Sequence, residues 1–250
     1  MLRTPSSPSG RRRSRLAQRP AQAELRFTRT WGGRRAGAGR PKLKNRKSVP
    51  HRARPEHSRS HPVHVTLRAA RRLPSLRRQS LFLRIRDALG EASRSSFRLA
   101  HFSVQADHVH LIVEAIDKSA LTRGTRGLCI RVARAINKHL GRSGRAFGDR
   151  YHARALATPR EVRNAIVYVL QNWRKHVPSA KGVDPCSSGW WFTGWQVPPS
   201  GEPPGWTDID HAPVMLARTW LGAHGWRRYG AVGLGERPKV PSSMASTLER

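Results

Sequence analysis

The chain has 250 residues and a formal net charge of +33, from 48 Lys and Arg against 15 Asp and Glu. A charge of this size predicts a polyanionic partner, and nucleic acid is the simplest one because basic side chains displace the cations condensed on phosphates. The sequence contains no run of about 18 apolar residues and no apolar stretch after its Arg-rich start, which argues against a membrane span and a secretory signal, so we expect a cytoplasmic protein. Cys129 and Cys186 form no CxxC pair, which argues against a disulfide framework and a cysteine zinc cage.

Residues 1–60 are predicted to be a disordered basic arm, because they are rich in Pro, Gly, Ser and Arg and show no sustained apolar periodicity. Within the arm, the Gly-Arg-Pro core at 39–41, followed by Lys42, looks like an AT-hook, an extended segment that lies in a narrow minor groove. Arg40 and Lys42 are therefore candidate DNA contacts. The alternative is a merely solvated basic tail.

The folded part is predicted to begin near residue 61. Alternating apolar residues predict a strand over 61–68, and apolar residues at helical spacing predict a helix over about 74–93. Two strands follow, Phe97–Gln105 and His108–Glu114, and the tight link between them indicates an antiparallel hairpin.

The next segments complete a domain over 61–177. Helical spacing predicts a second helix from about Leu121 to Lys138, and residues 148–156 are predicted to form the last strand. Thr158, Pro159 and Glu161 together form a capping-box signature, so a third helix is expected to run from there to about His176. The order β-α-β-β-α-β-α predicts an α+β fold, a ferredoxin-like antiparallel sheet with helices packed on one face.

Residues 178–250 are predicted to be an irregular extension with one terminal helix. The stretch 180–212 is rich in Gly, Pro and Trp without periodicity, and we expect it to wrap the domain as a loop. The terminal helix is expected over about 212–224. Trp190, Trp191 and Trp195 are candidates for stacking bases, although packing is the favoured role because tryptophans are largely buried on average.

Two histidines share one face of the predicted 108–114 strand. Side chains alternate along a strand, so His108 and His110 point away from the apolar residues that face the core, with their backbones about 7 Å apart. Two imidazoles at that spacing can converge on one metal ion, and the alternative is a pair of half-exposed histidines with no ligand. Glu114 shares their face and is a candidate for an additional ligand or for a group that orients a ligand. The favoured alternative is a solvated strand-end carboxylate.

Tyr168 and Asn172 lie one turn apart on the predicted third helix. Helical geometry places Tyr168 about 130° from the centre of the apolar stripe and Asn172 about 90° from it, so both are expected to project from one edge. A phenol and a carboxamide so arranged can present a nucleophilic oxygen and a neutral oxygen ligand to the same ion. The alternative is a surface tyrosine beside a helix-flank asparagine.

Together these features resemble the HUH single-tyrosine transposases, in particular the REP-associated tyrosine transposases, over about residues 61–177. The matching stretches are 61–68, 101–114 and 150–152 leading to 168–172. The resemblance implies His108, His110 and Asn172 as ligands of Mg²⁺ or Mn²⁺ and Tyr168 as the nucleophile. Family members often have Asn where this chain has Asp107, and Pro where it has Trp173.

The resemblance also implies a function. The expected enzyme is a DNA strand transferase that cleaves and rejoins single-stranded hairpin DNA through a 5′-phosphotyrosine intermediate, as a monomer or a homodimer. The alternative is a non-catalytic DNA-binding protein derived from such a transposase. An RNA-binding module is disfavoured because no aromatic RNP-like strand pair is present.

Four further residues are weighed as DNA contacts or as a rival nucleophile. Arg68, Arg150 and Arg154 are candidate phosphate contacts, with generic surface charge as the alternative for each. Tyr151 is the internal rival of Tyr168, but a packing or phosphate-contact role is favoured for it.

Overall fold

The computed structural model describes residues 55–148, 150–177, 179–201 and 212–238. The first 54 residues of the predicted basic arm, with the AT-hook-like segment and its Arg40 and Lys42, lie outside the described residues.

Four strands form one antiparallel sheet in the order β2-β3-β1-β4. They are β1 (Val63–Arg68), β2 (Phe97–Val104), β3 (His108–Ala115) and β4 (His152–Ala155). The α+β class with an antiparallel sheet is thereby confirmed. The last strand is shorter than the predicted 148–156, since only four of its residues pair with β1.

Two helices, α1 (Gln79–Gly90) and α2 (Lys118–His139), pack on one face of the sheet and form the main apolar core with it. Gly124 allows α2 to lie against β2, because a Cβ atom there would come within 2.2 Å of the Phe97 ring. The predicted start of α1 at residue 74 is wrong: the Leu76 amide donates to the carbonyl of Ala106 outside the helix, at 2.9 Å. No helix in the described ranges is both long and apolar enough to cross a bilayer.

The third helix, α3 (Pro159–Leu170), lies on the other face of the sheet, where it packs around Ile112, and not on the face of α1 and α2 as predicted. Its predicted capping box is present, since Thr158 Oγ1 accepts from the Glu161 amide at 3.2 Å and Glu161 Oε2 accepts from the Thr158 amide at 3.2 Å. The expected continuation of α3 to His176 is wrong. A short 3₁₀ helix, Asn172–Lys175, follows instead, and we call it the 172–175 turn.

The C-terminal extension covers this second face and the free edge of β2. Within 180–201, the amides of Val104 and Phe102 donate to Cys186 O and Ser188 Oγ, at 2.8 and 2.9 Å, so the edge strand is protected. The described turns of the extension are a 3₁₀ helix at Ser188–Trp191, the single-turn helix α4 (Trp220–Ala223) and a second 3₁₀ helix at Gly225–Tyr229.

The predicted terminal helix over 212–224 is therefore wrong in extent. The chain before α4 is extended and bound to the sheet: the Met215 amide donates to Leu99 O at 2.8 Å, and the Arg218 amide donates to Glu114 Oε2 at 2.7 Å. These bonds use amides that a longer helix would need internally.

Candidate functional site

Side chains from two central strands and from α3 meet on the face of the sheet opposite α1 and α2. Thr66 lies opposite His110 in the register of β1 and β3, and His64 lies opposite Ile112 on the same face. The His110 ring centre is 4.6 Å from that of His108 and 5.0 Å from that of Tyr168. The structure thus brings together both predicted histidines and the predicted tyrosine.

His110 is the centre of this group and is almost fully buried, at 4% exposure. Its Nδ1 lies 3.3 Å from His64 Nε2 and 3.2 Å from Thr66 Oγ1, so one ring nitrogen is held by β1. Its Nε2 is buried and has no hydrogen-bond partner among the described residues. Burial first, and then the neighbouring charges, of which that of His64 is the largest, lower the pKa of His110 well below its ordinary value, so the ring is neutral and able to act as a ligand.

His108 is oriented by the residue before it. Its Nδ1 lies 2.6 Å from Asp107 Oδ1, which leaves Nε2 for a ligand. Burial lowers the pKa of His108, although the Asp107 carboxylate opposes the shift. Partial burial disfavours the Asp107 carboxylate, but the hydrogen bond with His108 and the charge of Arg68 outweigh it and lower the Asp107 pKa. An aspartate at this position therefore holds His108 with a full charge, where an asparagine would offer only a dipole.

Tyr168 is buried, with 6% of its surface exposed. The expectation that it projects outside the buried stripe of α3 is wrong, because Tyr168 faces the histidines of the sheet and every residue from Ala165 to Leu170 is buried. Burial raises the pKa of the Tyr168 phenol. The ammonium of Lys175 lies 4.2 Å from the centre of the Tyr168 ring, which places a cation beside the phenol.

Asn172 is buried at 2% exposure and begins the 172–175 turn. The residue before it fixes its position: Gln171 Nε2 donates to Gly233 O at 3.2 Å and to Leu234 O at 2.9 Å, while its Oε1 accepts from Arg174 Nε at 2.8 Å. Arg174 donates to the carbonyl oxygens of Ala180, Gly182 and Leu234. The turn that carries Asn172 is therefore anchored by a segment more than 60 residues further along the chain.

The imidazole nitrogens on this face are of the donor type that binds divalent cations. Two neutral imidazoles lie side by side, and the buried Nε2 of His110 has no partner within the described ranges, an arrangement that is costly unless a ligand binds there. No cluster of three or more His, Cys, Asp or Glu side chains suited to a metal is found in the part of the chain that the structure describes. The predicted third ligand, Asn172, would add a neutral oxygen to the two imidazoles. A mixed nitrogen and oxygen set suits Mn²⁺ better than Mg²⁺, which prefers oxygen alone.

Glu114 takes neither of its predicted roles. It is buried at 4% exposure, and its carboxylate accepts from the Arg218 amide and from the amide and hydroxyl of Thr219, at 2.7, 3.1 and 2.7 Å. It therefore anchors the chain before α4 instead of facing solvent or supporting the histidines. The sequence does not show this because the partners lie about 105 residues away.

The arginines predicted to contact phosphate lie at the surface. The Arg68 side chain is 80% exposed and lies 3.8 Å from Asp107 Oδ2. Arg150 is exposed as well. Arg154 is bound to Glu161 Oε1 at 2.5 Å, so its charge is already paired.

The aromatic candidates divide by burial. Tyr151 is partly buried and packs against the main core of α1 and α2, as its favoured packing role predicted, away from the histidines. Trp195 is buried and its indole donates to Gly189 O at 2.8 Å, and Trp190 packs beside it, so both serve packing. Trp191 is partly exposed.

His64 and Lys175 belong to the site, like Thr66, although none of the three was predicted as a site residue. His64 is buried at 5% exposure, with its ring centre 5.6 Å from that of Tyr168, and burial and then the charge of Arg154 lower its pKa to about 4. The signal for His64 was its place in β1 between Val63 and Val65, which put it on the polar face. Lys175 carried no such signal, because its place depends on the end of α3.

No protein-family profile matches the chain, and no curated protein matches it. The chain is similar to a solved structure of a REP-associated tyrosine transposase bound to a REP hairpin, with 17% identity and a TM-score of 0.41 over 51% of this chain and 74% of that one. The function is therefore inferred from the site itself.

Proposed function

We propose that the protein is a metal-assisted DNA strand transferase, which cleaves and rejoins single-stranded hairpin DNA through Tyr168. The observation that carries this proposal is the unpartnered, buried Nε2 of His110 with its ring centre 5.0 Å from that of Tyr168. An imidazole with one unpartnered nitrogen beside a buried phenol puts a candidate metal ligand next to a candidate nucleophile. The net charge of +33 supports DNA as the substrate.

The proposed reaction exchanges one phosphodiester for another. The phenolic oxygen of Tyr168 forms a bond to phosphorus while the bond from phosphorus to the 3′ oxygen breaks, and a proton passes in net from the phenol to the leaving 3′ hydroxyl. The product is a 5′-phosphotyrosyl link, which keeps the energy of the phosphodiester. Attack by another 3′ hydroxyl reverses the step and rejoins strands without a nucleotide cofactor.

The other residues prepare this exchange. His108 and His110, with Asn172, would hold a divalent cation, Mg²⁺ or Mn²⁺, which when bound offsets the charge that grows on the phosphate. His64 and Thr66 fix the ring of His110, and Asp107 fixes that of His108. Lys175 places a cation beside the phenol, where the phosphate must arrive.

A second candidate function is supported by the environment of Tyr168. Its burial raises the pKa of the phenol, which disfavours the nucleophilic phenolate. A non-catalytic DNA-binding protein would keep the basic surface and the histidine face without cleaving.

Covalent trapping separates the two functions. The protein is incubated with end-labelled single-stranded hairpin DNA and Mn²⁺ and resolved on a denaturing gel. We expect a protein–DNA adduct with the wild type and with Tyr151→Phe, the matched control, but none with Tyr168→Phe. Salt-sensitive binding without any adduct in Mn²⁺ or Mg²⁺ would instead establish the binding protein.

Metal binding is measured apart from activity. Titration of Mn²⁺, followed by its electron paramagnetic resonance signal, is expected to show one site that His108→Ala and His110→Ala remove. His101→Ala is the matched control, because His101 lies on the adjacent strand, its Nδ1 is also buried without a partner within the described ranges, and its pKa is also lowered by burial, to about 4. Equal Mn²⁺ binding by all three variants would exclude the histidine pair as ligands.

A further inference from the structure

A cavity with several arginines in its lining lies at the far end of β3 from His108. It has a volume of about 390 Å³ and is lined by Arg59, Arg98, Arg218, Ser95, Ser96 and Trp220, among others. Its size is within the range of small-ligand pockets, about 300–1,000 Å³. Glu114, which also borders it, is four residues from His110 and six from His108. At the rise of a strand, the cavity is therefore about 13–20 Å from the histidine pair.

Arg98 is the unusual member of this lining. The residue is only 8% exposed, and its guanidinium lies against Met215, with Nη1 3.8 Å from Sδ. No carboxylate of the described residues lies within 4.0 Å of it as an ion-pair partner. A buried guanidinium keeps its charge, and a buried charge is costly unless it is paired. A bound anion would supply the partner that this guanidinium lacks among the described residues.

The carboxylate at this cavity does not cancel that charge. Glu114 lies opposite Arg98 in the register of β2 and β3, but its oxygens accept three hydrogen bonds from Arg218 and Thr219. With Arg59 and Arg218 exposed at the rim, the lining carries three guanidinium groups against one saturated carboxylate. The two serines add hydroxyl donors of the kind that bind phosphate oxygens.

We propose that this cavity binds one nucleotide of a single DNA strand, with the phosphate on Arg98, Arg59 and Arg218 and the base on Trp220. Trp220 is 50% exposed although it borders the cavity, and the guanidinium of Arg228 lies 4.9 Å from its ring centre. An exposed indole beside a basic cavity is the arrangement that binds stacked bases of single strands.

The cavity could position the DNA strand for the proposed strand transfer. This inference rests on that proposed function. A separation of about 13–20 Å corresponds to about four to six nucleotides of a stacked strand, at about 3.4 Å each. A nucleotide held there would fix the register of the strand against Tyr168, so that the scissile phosphate is chosen by distance from an anchored residue.

The test measures binding without cleavage, in the full chain with EDTA. Deoxyadenosine 5′-monophosphate is titrated by calorimetry, and inorganic phosphate is titrated in parallel. We expect the nucleotide to bind more tightly than phosphate, Arg98→Met to weaken both by about tenfold or more, and Trp220→Ala to weaken the nucleotide alone to the level of phosphate.

Two controls keep the outcome interpretable. Arg59→Ala/Arg218→Ala changes exposed side chains only and is expected to weaken both ligands even if Arg98→Met fails to fold, while Arg84→Ala, an exposed arginine of α1, is expected to change neither. Nucleotide binding that survives the double variant, or phosphate that binds as tightly as the nucleotide, would overturn the proposal. Because EDTA prevents strand transfer, such a result is independent of the adduct at Tyr168.

Discussion

One face of the sheet packs against α1 and α2 through apolar side chains. The other carries several histidines, among them His64, His108 and His110, and packs against α3 and the C-terminal extension. Val65 and Leu111 on the first face are fully buried in the main core. On the second, His64 and His110 are about as deeply buried, yet a nitrogen of His110 has no partner in the described part of the chain. Apolar packing accounts for the first face, whereas the meeting of two imidazoles and a phenol on the second indicates a function.

The apolar face should be the larger source of stability. Leu111→Ala is expected to lower the free energy of unfolding by about 2–5 kcal/mol, because it opens a cavity between the sheet and its helices. Urea denaturation measures the change. Ile130→Ala, at an α2 position that is 42% exposed, is the control and should cost less than about 0.5 kcal/mol. Similar losses in the two variants would contradict the assignment of the core.

The 172–175 turn beside the histidine face should depend on its bonds to the C-terminal extension. Gln171→Ala removes two hydrogen bonds to the 233–234 carbonyls and one from Arg174, so we expect a loss of about 1–3 kcal/mol in unfolding free energy. Because the same bonds hold the turn that carries Asn172, the yield of DNA adduct should fall as well. Gln196→Ala, at an exposed position, should leave both unchanged. A destabilised variant with full adduct yield would show that the turn has no part in the site.

The capping box at the start of α3 gives a pH-dependent test of how this helix is held on the histidine face. Partial burial disfavours the Glu161 carboxylate, but hydrogen bonds from Ala157, Arg154 and Thr158 outweigh it and lower its pKa below 4.5. The carboxylate therefore stabilises the fold above pH 4.5, and this contribution is lost as the pH falls through the lowered pKa.

Glu161→Gln is thus expected to cost about 0.5–1 kcal/mol at pH 7, a small value because solvent screens the pair. Thermal unfolding at pH 7 and pH 3 measures it, and the difference from wild type should shrink at the lower pH. A difference that grows on acidification would contradict the sign.

The smallest effect is expected at the two thiols. Burial raises the pKa of Cys129 to about 11 and that of Cys186 to about 12, so both are protonated at pH 8. We expect a thiol reagent to modify neither appreciably in the folded protein and both after unfolding in guanidinium. Rapid modification of Cys186 in the native state would show that the 183–188 segment does not stay on the edge of β2.

Sequence patterns predicted the parts of the site that are specified locally. Alternation placed His108 and His110 on one face of β3, and the Thr158–Glu161 signature located the start of α3. The 172–175 turn after α3 was not predictable, because Gln171 and Arg174 bind the carbonyl of Leu234, about 60 residues away. The burial of Tyr168 was not predictable either, because it depends on how α3 packs on the histidines of the sheet. Likewise, His64 meets His110 only through strand pairing across 46 residues.

The central claim is that Tyr168 forms a covalent bond to DNA at the histidine face. Its most direct test is to digest the trapped adduct with trypsin and nuclease and to locate the residual nucleotide by mass spectrometry. Cleavage after Arg163 and Arg174 isolates Tyr168 in the peptide 164–174. We predict that the nucleotide mass lies on this peptide. Its presence on the peptide of Tyr151 or Tyr229, or the absence of any modified peptide, would contradict the account.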